Sequence, residues 1–162
     1  MSEKEINADN PGLPLPPPVL LGLALVVAVA LEWLDPLRFL DPPFGWQFWA
    51  GVGLTALAAG LTFWGAREFS RRGTHVNPSL PAKLIVDSGP FRFVRNPMYS
   101  GFVLLLAGLS LAIGLEWGLL LAPLLWLSLH FLIVKREERY LSAKFGTVYD
   151  DYRRRVRRWG VF

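Results

Sequence analysis

YSGFVLLLAGLSLAIGLEWGLLLAPLLWLSLHFLIV, residues 99–134, holds a single formal charge, Glu116, set between Gly114 and Gly118. Crossing the hydrocarbon of a bilayer takes about 20 largely apolar helical residues. The stretch is too long for one crossing and divides at Glu116 into two, residues 99–115 and 117–134. With so short a connection the two form a tight antiparallel hairpin whose far ends return to the same side. Residues 19–34 and 46–65 are two further apolar runs, and four spans are the simplest count. The expected fold is an all-α integral membrane protein of about four transmembrane helices.

Composition agrees with a bilayer as solvent. The chain of 162 residues is 52% hydrophobic and its mean hydropathy is +0.34, more apolar surface than a small soluble core needs. It contains no Cys, which excludes disulfides, thiolate metal sites and thiol nucleophiles, and no metal site is expected. A net charge of +4 is compatible with nucleic acid, but no groove-reading motif accompanies it. Anionic lipid headgroups beside the apolar runs are the better partner. Glu3, Glu5 and Asp9 make the start of the chain unlike the basic head of a cleavable signal peptide, so the first run is expected to be retained.

Short cytoplasmic segments keep Lys and Arg while translocated ones lose them. Lys4 precedes the first run; Arg67, Arg71, Arg72, Lys83, Arg92 and Arg95 lie between the second and third; residues 135–158 follow the fourth; Arg38 alone falls on the other side. The charges therefore place both termini in the cytoplasm, with a prokaryotic inner membrane as the expected location. Residues 1–18, with Pro14, Pro16, Pro17 and Pro18, form a stiff polar lead-in, and residues 19–162 form one membrane domain. Gly51, Gly53, Ala56, Ala59 and Gly60 give the second run small surfaces for close helix approach. Trp33, Trp46, Trp49, Trp64 and Trp117 sit near span ends, where amphipathic rings anchor at the headgroups.

The polar parts carry the candidate chemistry. Residues 73–97 are too broken by Pro and Gly for a long helix and read as an ordered cytosolic loop with an extended piece at 84–86. Asn96-Pro97 has the form of a helix cap followed by proline at the first helical position. The same geometry presents free N–H groups to an anionic ligand, and Arg95 adds a forked donor for a carboxylate. Glu137 and Glu138 read either as solvated charges beyond the fourth span or as ligand contacts. Adjacent helical positions point about 100° apart, and Glu138, sharing a face with Phe131, Val134, Leu141 and Phe145, is expected to be the more inward one.

Gly146 marks a helix stop, and Thr147 with Asp150 resembles a capping box. Phe145, Tyr149, Tyr152, Val156 and Trp159 recur at helical spacing opposite Arg153, Arg154, Arg155, Arg157 and Arg158. This C-terminal amphipathic tail either lies on the membrane or folds back on the bundle, with lipid adhesion accounting for most of its arginines. His130 reads as a packing or snorkelling residue.

Taken in order, residues 84–101, with Gly89-Pro90-Phe91 and Arg95-Asn96-Pro97-Met98-Tyr99, then Glu137-Glu138-Arg139-Tyr140-Leu141, then residues 145–152, resemble the isoprenylcysteine carboxyl methyltransferase and phospholipid N-methyltransferase superfamily. The likeness covers roughly residues 60–159. It implies an integral-membrane enzyme that uses S-adenosylmethionine, with the cofactor at the cytosolic helix ends. Carried over by position, Arg95, Asn96 and Tyr99 belong to the cofactor-binding element before the third helix, Pro90 and Phe91 shape the same loop, and Glu137 and Glu138 match the paired acidic element. Asn96 stands where carboxyl methyltransferases carry His, a lean toward the phospholipid branch.

The resemblance leaves the catalytic residues unknown. The implied reaction is methyl transfer to a membrane-embedded amphiphile, such as a phospholipid amine or an isoprenylcysteine-like carboxylate. An amine acceptor would call for a base, with Glu68 or His75 as candidates. The alternative is a non-catalytic scaffold that binds anionic lipid through its basic tail.

Overall fold

The structure is a computed structural model describing residues 9–40 and 45–160. Glu3, Lys4 and Glu5 of the lead-in lie outside them. The helices are α1 (Pro17–Leu34), α2 (Trp46–Arg71), α3 (Pro97–Ile113), α4 (Glu116–Ser128), α5 (Lys135–Phe145) and α6 (Thr147–Arg155), with a 3-10 turn at Gly89–Arg92 and a π-helical turn at Leu129–Val134. The π turn joins α4 and α5 into one helix, Glu116–Phe145, of 30 residues. That helix, α1 and α2 are long and apolar enough to cross a bilayer, and α3 is a shorter apolar helix between them. The protein is thus all-helical and membrane-integral. Among the described residues the sole β pairing is an isolated bridge between Val94 and Arg157, so the extended piece expected at 84–86 forms no strand.

Local chemistry explains the boundaries. Pro17 and Pro18 occupy the first turn of α1, where a missing N–H costs nothing, so this helix begins inside the segment read as lead-in. Gly114 ends α3 in the left-handed region at φ 69°, a conformation that glycine adopts without a side-chain penalty. Glu116, buried at the hairpin, accepts the Leu40 N–H at 2.6 Å. Trp117 donates its indole N–H to the Asp35 carbonyl at 2.7 Å. These bonds pin the α1–α2 connection to the tip of the α3–α4 hairpin.

At the other end α2, α3, the α4–α5 helix and the tail converge, carrying nearly all the described cationic residues. The core between the ends is formed by Leu21, Leu106, Leu125, Leu129 and Ile133.

Helix α2 packs most extensively against α3. A Cβ on Gly51 would meet the Gly108 carbonyl oxygen at 2.6 Å, and one on Gly108 would meet the Thr55 amide nitrogen at 2.7 Å. Gly53 and Gly60 meet nothing within 4 Å. Of the small residues singled out from the sequence, then, Gly51 makes the close approach, while Gly53, Ala56, Ala59 and Gly60 are exposed. Replacing glycine by alanine inside a helix ordinarily stabilises it by up to about 1 kcal/mol. Gly108→Ala is expected instead to destabilise by about 1–3 kcal/mol through overpacking and to lower the thermal midpoint in detergent. Gly60→Ala should leave the midpoint unchanged or raise it slightly.

Candidate functional site

The last turn of α2 sets the loop geometry. Glu68 is buried and accepts the Ser88 hydroxyl at 2.6 Å and the Arg72 Nε–H at 3.4 Å. A Cβ on Gly89, at φ +58°, would lie 3.2 Å from both Glu68 and the Trp64 indole, so glycine alone fits that turn. The turn buries Pro90 and Phe91, and Phe91 packs edge-on against Phe69 at 4.8 Å. Tyr152 of α6 donates its hydroxyl to the Phe91 carbonyl at 2.8 Å. Burial pushes the Tyr149 and Tyr152 phenols well above their ordinary range, so both remain neutral donors.

Beyond the turn lies an ion cluster. Glu138 of α5 is buried and takes a fork from Arg158, with Nε donating to Oε1 at 2.9 Å and Nη2 to Oε2 at 2.6 Å. That partnership holds the Arg158 guanidinium above its ordinary range. Arg95 brings Nη1 to 3.1 Å from Glu138 Oε1, with both side chains 9% exposed. Its approach misses hydrogen-bond alignment, and Arg95 Nε and Nη1 remain buried donors without a partner. Beside this cluster, Tyr99 donates its hydroxyl to Glu137 Oε1 at 2.6 Å.

The tail is held along the start of α3. The Arg95 N–H donates to the Arg157 carbonyl at 2.9 Å, and the Asn96 side-chain amide to the Arg158 carbonyl at 3.0 Å. Trp159 donates its indole N–H to His130 Nδ1 at 3.1 Å, and its ring sits 5.8 Å from that of Trp126.

These elements line a partly open cleft at the basic end of the bundle. Phe91, Arg95, Asn96, Tyr99, Glu137 and Glu138 all line it. Pro90 is buried behind Phe91 and does not. The opposite wall comes from the loop after α2, including Thr74, Val76, Leu84 and Val86.

Several expectations need correction. Asn96 stands at the N-cap position of α3 and Pro97 at its first turn, but the Asn96 side chain makes no cap bond because it is committed to the tail. Glu138 is the more buried of the two acidic residues, as expected, and both line the cleft. The π turn inserts extra backbone just before them and re-phases the helix, so Phe131 is 53% exposed while Val134 is fully buried. Thr147 caps nothing. Gly146, at φ 55°, begins α6 through its carbonyl, and Asp150 accepts the Ser142 hydroxyl instead.

The tail folds back on the bundle; Arg158 pairs with buried Glu138, while Arg153, Arg154 and Arg155 pair with Asp150, Asp151 and Asp87 and stay exposed. Of the candidate bases, His75 lines the cleft and Glu68 does not.

Arg158 escaped sequence reasoning because nothing distinguishes it within a run of arginines. Tyr149, Tyr152 and the wall residues of the loop were legible only as apolar positions. The N-terminal segment was also missed: Pro11 lines the cleft, Arg136 donates to the Gly12 carbonyl at 2.9 Å, and Asp9 pairs with Lys144 and Tyr140.

Residues 46–148 match the family described as phospholipid methyltransferase. The chain belongs to the phospholipid methyltransferase family. Over 73 residues it is also 33% identical to the protein-S-isoprenylcysteine O-methyltransferase of Schizosaccharomyces pombe, a match covering 45% of this chain and 31% of that protein. No solved structure matches. The family match takes in α2 through α5 and so contains Arg95, Asn96, Tyr99, Glu137 and Glu138, while the tail that delivers Arg158 lies beyond it.

The role of Asn96 is directly testable. A helix cap lost to alanine would fray α3. A lost tail anchor, worth about 1 kcal/mol, should instead release residues 153–158, so Asn96→Ala is expected to speed tryptic cleavage there severalfold without changing helix content.

Proposed function

We propose that this protein transfers a methyl group from S-adenosylmethionine to an amphiphilic acceptor held in the bilayer, with the cleft as donor site. The observation that carries the reading is Arg95, nine-tenths buried, ion-paired with Glu138 yet with no hydrogen-bond partner for Nε or Nη1, in the same cleft as the carboxylate of Glu137. Burying donors without partners is costly, and a ligand carboxylate answers that cost through charge-assisted bonds. Glu137 provides the complementary acceptor for an ammonium or hydroxyl groups. The residues thus fit an amino-acid zwitterion joined to a nucleoside, whose flat base suits the apolar wall of Val76, Leu84 and Val86.

When bound, S-adenosylmethionine supplies a methyl group on a sulfonium already activated for displacement. This chain's part is to bind, orient and exclude water, contributions that account for much of the acceleration of group transfers. Arg95 and the free amides of Met98 and Tyr99 at the start of α3 hold the anionic end. Tyr99 orients Glu137. Phe91, Tyr149 and Tyr152 dry the floor.

The remaining features concern the acceptor and the side. Its position at one end of apolar helices lets a lipid present its head while the tail stays in hydrocarbon. Family membership supports a phospholipid amine, and the fission-yeast relative's name keeps an isoprenylcysteine-like carboxylate within the class. The excess of Lys and Arg at this end supports a cytoplasmic orientation.

Two measurements test this. Titration calorimetry of the detergent-purified chain should detect S-adenosylmethionine and its demethylated product, and Arg95→Ala should weaken both by roughly 10- to 100-fold, the loss of about 1.5–3 kcal/mol expected for a charged hydrogen bond. Incubation with methyl-labelled donor and membrane lipids should transfer label into the lipid extract. Absence of both binding and transfer in folded protein would defeat the reading.

A further inference from the structure

We infer that Arg158, delivered by the C-terminal tail, is a positioning residue that keeps Arg95 available to a ligand carboxylate by occupying Glu138. The inference rests on the cleft being the donor site. Glu138 has two acidic oxygens and, beside it, two guanidinium groups. Arg158 takes both oxygens in a fork at 2.9 and 2.6 Å, the strongest geometry open to an Arg–carboxylate pair. Arg95 is left in an ion pair at 3.1 Å from one oxygen, its Nε and Nη1 without a hydrogen-bond partner. Its hydrogen-bonding capacity is left unmet, and one positive charge of the cluster stays unneutralised.

Removing Arg158 leaves Glu138 buried with Arg95 as its nearest cation. The carboxylate then draws the Arg95 fork onto itself, since a buried ion seeks a hydrogen-bonded partner, and the donors meant for a ligand are consumed. Three contacts set Arg158 in place, and none touches Glu138: Asn96 on the Arg158 carbonyl, the Arg95 N–H on the Arg157 carbonyl, and Trp159 on His130. Among the residues after α6, Arg158 is thus the side chain that reaches the ion cluster.

The test compares two ligands on the full-length chain in detergent: S-adenosylhomocysteine, and its decarboxylated counterpart, which keeps the amine and nucleoside. Arg158→Ala is expected to weaken the carboxylate-bearing ligand at least tenfold and the decarboxylated one less than threefold. Adding Glu138→Gln to Arg158→Ala should restore part of the lost affinity, because a neutral amide no longer captures Arg95.

If Arg158→Ala does not fold, Arg158→Lys serves. A lysine cannot fork onto both oxygens, and it should show a severalfold loss confined to the carboxylate-bearing ligand. Equal losses for the two ligands, or no loss, would overturn the inference and leave Arg158 a structural contact. Failure of the unaltered protein to bind either ligand would instead defeat the donor-site reading.

Discussion

One buried carboxylate shared between two guanidinium groups ties the basic end of this bundle together. Glu138 rises from the extension of the fourth span, Arg95 from the residue before the Asn96-Pro97 start of α3, and Arg158 from the tail. Taking charges out of water costs several kcal/mol per ion unless geometry and partners compensate. Two cations around one anion leave a positive charge beside the cleft, and that residual charge falls on the arginine whose donors are unmet. An arrangement of this kind is poor at maximising stability and well suited to receiving an anion.

The membrane fold makes the arrangement possible. A hairpin turning at Gly114 returns α3 and the α4–α5 helix side by side, so residues nearly forty positions apart meet in the hydrogen bond between Tyr99 and Glu137. Helix α2 approaches α3 closely at Gly51 and Gly108 and, at its end, places Glu68 under the Ser88–Gly89 turn. The π turn then rotates α5 so that both acidic side chains face the cleft. Apolar helices supply position, and the polar chemistry collects where they emerge.

Much of this was legible in the sequence. The spans followed from runs of apolar residues, the shared end from the uneven distribution of Lys and Arg, and the grouping of Arg95 with Glu138 from the family resemblance. The rest depended on contacts that no periodicity reports. A π turn leaves no mark in hydrophobic spacing, so Phe131 was expected to share the inward face with Glu138 and is exposed instead. Asn96 before Pro97 has the residue types of a cap and uses its amide elsewhere, because the tail offers a carbonyl at 3.0 Å. Arg158 looks like its neighbours in sequence and differs only in what the fold sets opposite it.

The most direct test is a structure of the detergent-solubilised protein with S-adenosylhomocysteine bound. The account predicts the ligand carboxylate within hydrogen-bonding distance of Arg95, the Arg158 fork on Glu138 preserved, and the adenine against the loop that follows α2. A ligand seated elsewhere, or an Arg95 turned wholly onto Glu138 with the ligand carboxylate held by other groups, would contradict it.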